Sequence, residues 1–139
     1  MHLTDAPLSL DALLAETERD DCGALAVFSG TVRDHHDGKT VTQLVYTAYA
    51  PVATRVIREI EDEVVAKFDV AVCRIVHRIG DIPIGESAVM VVVRGAHRGP
   101  AFDAVRYGID EVKRRVPVWK EEFYADGTRV YVEGCELGG

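Results

Sequence analysis

The chain has 139 residues, 47% of them hydrophobic and 28% charged, which is the balance of an ordinary globular protein. Its net charge of −7 argues against nucleic acid as a partner, and no apolar run approaches the roughly 20 residues that a membrane-spanning helix needs. The N-terminus also lacks the basic and apolar regions of a signal peptide, so we expect a cytoplasmic protein.

The cysteines predict no cross-linked framework. Cys22, Cys73 and Cys135 are odd in number and lack Cys-x-x-Cys spacing, which argues against both a disulfide scaffold and a zinc site. Cys73 alternates with apolar residues in a predicted strand, so we interpret it as a small core residue.

Hydrophobic periodicity and turn residues predict three helices and six strands. In chain order the predicted elements are a helix over Leu10–Arg19 capped by Ser9, strands over Gly23–Val32 and Thr40–Tyr49, a helix over Pro51–Phe68, strands over Val70–Ile79 and Ala88–Arg94, a helix over Pro100–Val116, and strands over Trp119–Tyr124 and Arg129–Val132. Asp34–Lys39 is typical of a loop with a turn at Asp37-Gly38, Asp126-Gly127 of a hairpin, and Gly80–Glu86 of a turn.

The order of these elements predicts the fold class. Residues 40–124 follow a βαββαβ order, which is typical of an α+β domain with helices on one face of a mainly antiparallel sheet. We expect one domain over residues 1–139, with residues 1–22 as an N-terminal helix and lead-in and residues 134–139 as a flexible tail. Gly138-Gly139 resembles the activated end of a sulfur carrier, but such carriers are much shorter chains. Open sheet edges favour pairing with a second copy.

The last helix and the strand after it gather basic residues beside an apolar stripe. Phe102, Val105, Ile109, Val112 and Val116 recur at helical spacing and predict a side that faces the core. Lys113 lies at the edge of this stripe, and Pro117 ends the helix before Lys120. The pattern is compatible with an anion pocket bounded by two lysines and equally with a solvated surface helix.

Other polar residues lie near predicted element ends. His97 and Arg98 precede a helix N-terminus, where free N–H groups favour an anion. Arg33 follows a buried strand and is suited to a phosphate or carboxylate, although an exposed arginine is the equal alternative. His77 shares one face of a predicted strand with apolar residues, so we interpret it as a hydrogen-bonded core histidine. Lys120, if desolvated near other cations, has the chemistry of a base or nucleophile.

The run Asp34-His35-His36-Asp37 contains residue types that bind divalent metals and resembles the Asp-His-His signature of a phosphoesterase family. Those enzymes carry further separated aspartate motifs and a second domain, neither of which is found here. Adjacent side chains in one loop also diverge, so we expect no metal at this run.

Four motifs in order resemble the large, catalytic subunit of molybdopterin synthase. The matching segments are Gly23-Ala24 with Phe28–His35, Val76–Gly80 with Gly85-Glu86, Ala96–Arg98 with Ala101-Phe102, and Lys113, Pro117 and Trp119–Glu122. The resemblance covers nearly the whole chain from Gly23 to Glu133. It implies an α/β-hammerhead fold and a sulfur transfer that needs no cofactor. A small ubiquitin-like carrier donates sulfur from its C-terminal Gly-Gly thiocarboxylate to cyclic pyranopterin monophosphate, which becomes the dithiolene of molybdopterin. It also implies a homodimer with one carrier at each end, a heterotetramer.

The resemblance assigns roles to particular residues. Lys113 and Lys120 match the two essential lysines, with Lys120 as the reacting amine and Lys113 as its electrostatic partner, or the reverse. Arg33, His97 and Arg98 match substrate-binding positions, with His97 and Arg98 reaching the pocket of the partner subunit. Further substrate-binding candidates in the matched segments are Thr31, Val32, Glu121 and Glu122. The alternatives are a non-catalytic dimeric module that binds an anionic ligand and, less favoured, a metal-dependent phosphoesterase.

Overall fold

The computed structural model describes residues 1–133, so Cys135 and the predicted tail over residues 134–139 lie outside the described residues. The helices are α1 (Leu10–Glu16), α2 (Ala50–Lys67) and α3 (Arg98–Arg115). The strands are β1 (Leu3–Thr4), β2 (Ala24–Thr31), β3 (His35–His36), β4 (Lys39–Ala48), β5 (Val72–Arg78), β6 (Gly80–Ile82), β7 (Ser87–Gly95), β8 (Val118–Tyr124) and β9 (Arg129–Glu133).

The α+β class and the mainly antiparallel pairing are as predicted, but the strands form two sheets instead of one. The first sheet has the order β1-β5-β7-β2, in which β1 runs parallel to β5 and the other pairs are antiparallel. The second has the order β3-β4-β8-β9, with β6 also paired to β4. β7 is hydrogen-bonded to β5 along one edge and to β2 along the other, so neither edge of β7 is free for β4. β4 pairs with β8 instead.

The helices cover both faces of the first sheet. α2 and α3 pack on one face, against Ile75, Val91 and Val93, whereas α1 packs on the opposite face, against Met90 and Val92. Because β7 contributes side chains to both layers, its apolar residues are buried on both sides, as its continuous hydrophobic run predicts.

α3 approaches the first sheet through small residues. Ala101, Ala104 and Gly108 are buried, and a Cβ atom at Gly108 would lie 3.2 Å from Cγ1 of Val91. The prediction that Phe102 faces the core is wrong, since its side chain is 62% exposed. One position along a helix turns a side chain by about 100°, so burying Ala101 directs Phe102 toward solvent.

The helix boundaries differ little from prediction. α1 ends at Glu16, before the predicted Arg19, while α2 and α3 begin and end within two residues of their predicted bounds.

Within residues 1–133 no helix is both long enough and apolar enough to cross a bilayer.

The predicted loop over Asp34–Lys39 is a tight hairpin. Asp37 and Gly38 have φ angles of 50° and 76°, the two positive values that a two-residue turn joining antiparallel strands requires. This turn pairs His36 with Lys39 and therefore fixes where the His36 side chain emerges.

Candidate functional site

A cavity of about 470 Å³ lies where the end of β2, the strands β4 and β8, and the C-terminal half of α3 meet. Three cationic side chains from separate elements line it: Arg33 after β2, Lys113 on α3 and Lys120 on β8. The structure thus brings together residues that are up to 87 positions apart in the sequence (120 − 33).

The pairing of β4 with β8 determines which side chains face this cavity. Tyr46 stands opposite Lys120, and Leu44 stands opposite Glu122, so all four share one face of the sheet. Glu121 lies on the other face, where its carboxylate is 3.5 Å from Nε of Arg129, and it does not line the cavity.

Glu122 is a buried carboxylate with three hydrogen-bond donors. It is only 2% exposed, and the Lys120 ammonium lies 2.8 Å from Oε1. The Tyr124 hydroxyl and Nδ1 of His36 each donate to Oε2 over 2.8 Å. Burial by itself would raise the pKa of Glu122, but Lys120, Tyr124 and His36 together lower that pKa to about 2. Glu122 is therefore a carboxylate at neutral pH.

Lys113 is in a different electrostatic setting. Burial is the largest cause that lowers its pKa, followed by the charges of Lys120 and Arg33. Among the side chains described, those of residues 1–131, neither Lys113 nor Arg33 has a carboxylate within ion-pair distance. The cavity consequently carries an excess of positive charge, which suits an anion.

Two neutral side chains form another wall of the cavity. The rings of Tyr46 and His77 meet edge to face with centroids 4.9 Å apart, and Nδ1 of His77 donates to the carbonyl of Arg78 over 2.7 Å. Burial, together with the charge of Lys113, lowers the pKa of His77 to about 4. Burial and the charge of Glu122 raise the pKa of Tyr46 to about 12. Both side chains are uncharged at neutral pH.

His77 is buried, as predicted, but it also lines the cavity, and sequence reasoning overlooked Tyr46 entirely. The available signal was the alternation in the predicted strand over Thr40–Tyr49, which places Leu44 and Tyr46 on the same face.

The end of β2 reaches the cavity through a local irregularity. The β2–β7 register shifts between Gly30 and Thr31, and a Cβ atom at Gly30 would lie 3.0 Å from Cγ1 of Val89. The backbone N–H of Val32 donates to the carbonyl of Glu86, and the N–H of Gly85 donates to the carbonyl of Val32, so the segment before β7 holds the strand end. Thr31 and Val32 line the cavity, and Arg33 follows directly from this fixed backbone.

His97 and Arg98 lie at the opposite end of α3. Both are exposed and line a second, separate cavity with Gly23 and Phe102. At 1.5 Å per residue, Arg98 is about 22 Å along the helix axis from Lys113. A single chain therefore does not bring His97 and Arg98 together with the two lysines.

The Asp34–Asp37 run does not converge on a point. Asp34 and His35 contact each other over 2.9 Å, whereas His36 turns to Glu122. In the described part of the chain, no three His, Cys, Asp or Glu side chains are grouped as metal ligands would be. The described residues give no support to a metal-dependent phosphoesterase.

Comparisons with known proteins agree with this arrangement. The family model described as MoaE protein matches residues 3–115. The molybdopterin synthase catalytic subunit of Bacillus subtilis is 38% identical over 128 residues, covering 92% of this chain and 82% of that protein. The crystal structure of molybdopterin synthase from Staphylococcus aureus superposes with a TM-score of 0.88 at 33% identity, covering 94% of each chain. A complex of subunits 1 and 2 of molybdopterin-converting factor from Helicobacter pylori gives a TM-score of 0.76 at 25% identity, covering 94% of this chain and 88% of that one. The chain belongs to the MoaE protein family.

Proposed function

We propose that this chain is the catalytic subunit of a molybdopterin synthase. The C-terminal thiocarboxylate of a small carrier protein donates sulfur to cyclic pyranopterin monophosphate, and two such additions with opening of the cyclic phosphate form the dithiolene of molybdopterin. The observation that carries the proposal is the convergence of Arg33, Lys113 and Lys120 on one cavity, in a chain whose relatives bear the name of this enzyme.

The charge of the cavity suits both reactants. The thiocarboxylate and the phosphate are anions, and they must approach each other closely for sulfur to be transferred. Three cations with a single buried carboxylate, Glu122, offset the repulsion between them and stabilise negative charge that develops during the transfer.

The two lysines support different roles. The lowered pKa of Lys113 favours release of its proton, which suits a group that transfers protons during the reaction. The ion pair with Glu122 fixes the Lys120 ammonium in the cavity, which suits a positive charge held beside the reacting atoms. These surroundings favour Lys113 as the reacting amine and Lys120 as its electrostatic partner, which is the second of the two assignments that the family resemblance allows.

Arg33 is the proposed phosphate contact, because it is exposed at the cavity and has no ion-pair partner among the described side chains of residues 1–131. Thr31 and Val32 form the adjoining wall, and Glu122 acts on the substrate only through Lys120. Glu121 faces away from the cavity, so we leave it out of the substrate contacts.

We further propose that the site is completed by a second copy of the chain. His97 and Arg98 lie too far from Lys113 to act on the same substrate within one chain, but in a homodimer they reach the cavity of the partner subunit. The exposed side chains of Leu25 and Phe102 line the same second cavity as His97 and Arg98 and give it an apolar surface for such pairing.

The proposed partner protein is a small ubiquitin-like sulfur carrier with a thiocarboxylated Gly-Gly tail. One carrier on each half of the homodimer gives a heterotetramer. We place the reaction in the cytoplasm, where thiols stay reduced; within residues 1–133, Cys22 and Cys73 form no disulfide with each other.

The test is a single reaction. Purified chain, thiocarboxylated carrier and cyclic pyranopterin monophosphate are mixed, and molybdopterin is measured as its fluorescent oxidation product. We expect product from the native chain and from Lys67→Ala, whose lysine lies on α2 outside the cavity, but not from Lys113→Ala or Lys120→Ala. Anion binding without turnover would instead identify a ligand-binding module.

A further inference from the structure

We propose that His36 is a positioning residue for Lys120 and acts through the carboxylate of Glu122, with Tyr124 as its helper. The inference rests on the proposed function and deepens it, because it concerns the same cavity and the same lysine. It assigns a role to His36, the histidine of the Asp34–Asp37 run whose ring contacts a carboxylate on β8.

The two oxygens of Glu122 have separate partners. Oε1 receives the Lys120 ammonium over 2.8 Å, while Oε2 accepts two hydrogen bonds of 2.8 Å, from Nδ1 of His36 and from the Tyr124 hydroxyl. The terminal torsion of a glutamate side chain is broad when nothing restrains it. Two donors on Oε2 stop this rotation, so Oε1 and the ammonium bound to it stay in one place.

The donor atom of His36 follows from its partner. A carboxylate can only accept hydrogen bonds, so the ring carries a hydrogen on Nδ1. Nε2 points the other way and lies 3.6 Å from Oδ2 of Asp37, a side chain that is 88% exposed. Nδ1 is therefore the ring atom that matters for Glu122.

His36 reaches Glu122 from outside the strand that carries the lysine. Lys120, Glu122 and Tyr124 all lie on β8, whereas His36 lies on β3 and is separated from Glu122 by 86 positions. The tight turn at Asp37-Gly38 fixes its register against Lys39. The β3–β4 hairpin thus gives the lysine a restraint that β8 alone does not supply.

The experiment compares three substitutions in the full-length chain. His36→Asn keeps an N–H group near the position of Nδ1, and His36→Leu removes it. Asp37→Asn is the matched control, since it tolerates the turn and leaves the contact with Glu122 intact. We expect kcat to fall about tenfold in His36→Leu and to stay near the native value in the other two, because small displacements of a positioned group have large effects on rate.

A double-mutant cycle separates positioning from a general structural effect. If His36 acts through Glu122, adding His36→Leu to Glu122→Gln changes kcat by less than about twofold further. An undiminished loss in that background would show that His36 acts by another route and would overturn the proposal. Should His36→Leu fail to fold, Tyr124→Phe removes the other donor to the same oxygen and serves in its place.

A second readout does not depend on turnover. In the isolated chain, NMR can follow hydrogen exchange of the Lys120 ammonium group, which slows when the group is held by a buried carboxylate. We expect exchange to accelerate several-fold in His36→Leu and to stay unchanged in His36→Asn. If native protein makes no molybdopterin, the proposed function fails while this measurement still decides the role of His36. Native-like exchange in His36→Leu would refute that role even in an active enzyme.

Discussion

Lys120 and Glu122 lie two residues apart on β8 and project to the same side of the strand, where Nζ and Oε1 are 2.8 Å apart and the glutamate side chain is only 3% exposed. Lys113, the other lysine of the cavity, has no such partner among the side chains of residues 1–131 and is desolvated beside two further cations. The two lysines therefore differ in what they contribute to the stability of the protein, and not only in what they contribute to the reaction.

Replacing Lys120 with alanine should lower both activity and stability. The substitution leaves the buried carboxylate of Glu122 without its cation, which we expect to cost about 2 kcal/mol of unfolding free energy. Urea denaturation monitored by circular dichroism measures this change. Lys113→Ala is the matched comparison: it should abolish activity while changing the unfolding free energy by less than about 0.5 kcal/mol. Equal destabilisation by both substitutions would contradict the conclusion that Lys120 is paired with a buried carboxylate and Lys113 is not.

The pH dependence of the reaction should report on Lys113. Its pKa is lowered from 10.5, chiefly by burial, so we expect kcat to rise with pH and to level off below that value if the neutral amine accepts a proton. Lys113→Arg should remove this rise, because arginine stays protonated. A native profile that shows no inflection below 10.5 would exclude Lys113 as the titrating group.

The same pKa shift predicts a trend in stability. At pH values between the lowered pKa of Lys113 and 10.5, the unfolded chain binds more protons at Lys113 than the folded chain does. The contribution of Lys113 to stability therefore rises with pH across that range. Urea midpoints measured through that range for native protein and Lys113→Met should converge as the pH increases.

Acid should destabilise the fold through His77. The pKa of this ring is about 4 in the folded protein, compared with 6.5 for an unperturbed histidine in the unfolded chain. Between these pH values the unfolded chain binds more protons than the folded chain, so stability falls as the pH is lowered. The full shift corresponds to about 3 kcal/mol. The pKa values of Glu122, Glu63 and Glu111 are also lowered, and these carboxylates begin to lose their contribution to stability as the pH nears 4.5. Unfolding is therefore compared at pH 7 and pH 5.5, where the carboxylates contribute little to the difference. His77→Asn keeps a donor for the Arg78 carbonyl and should show a smaller decrease; an equal decrease would assign the effect elsewhere.

Arg33→Ala should weaken substrate binding without affecting the fold. The side chain is exposed and has no ion pair with any side chain of residues 1–131, so we expect an unchanged urea midpoint and an increase of about tenfold in KM for the cyclic phosphate substrate. Added salt should raise KM more for native protein than for the variant, because it screens this contact. Arg58→Ala, on the exposed side of α2, is the control. A selective loss of kcat would place Arg33 at the reacting centre instead.

Mixed dimers should test whether His97 and Arg98 act in the partner's cavity. Lys113→Ala and Arg98→Ala should each be inactive alone. If the two residues serve one site from different subunits, random mixing creates heterodimers with one intact site each, and activity should recover to about a quarter of the native value. The measurement needs the subunits to be unfolded and refolded together, with native protein treated in parallel. No recovery, with native protein recovering fully, would mean that both residues act within one chain.

Short-range pattern predicts much of this fold. The amphipathic runs that form α2 and α3, and the turns at Asp37-Gly38 and Asp126-Gly127, depend on neighbouring residues and on φ angles that only certain residues adopt easily. Phe102 marks a limit, because a hydrophobic stripe does not reveal that small residues one position away bring the helix against the sheet.

The candidate site is less accessible to such reasoning. Lys113 and Lys120 stand out as a basic pair near a helix end, and the motifs around Arg33 add a third cation. The partners of Glu122 do not follow from pattern, since His36 lies in a run that suggests metal ligands and Tyr124 reads as an ordinary strand residue. Which glutamate, Glu121 or Glu122, faces the lysine depends on the face that β8 turns to the cavity.

The amino-acid sequence by itself determined the helices, the tight turns and the α+β class and predicted Lys113 and Lys120 as site residues, because each depends on chemistry within a few residues or on a motif. Only the tertiary structure decided that the strands divide into two sheets, that Arg33, Lys113 and Lys120 meet in one cavity, and that His97 and Arg98 lie away from it. Those outcomes depend on which strand edges remain free for pairing and on which face of a helix packs against the sheet. Both are set by contacts between residues far apart in the chain.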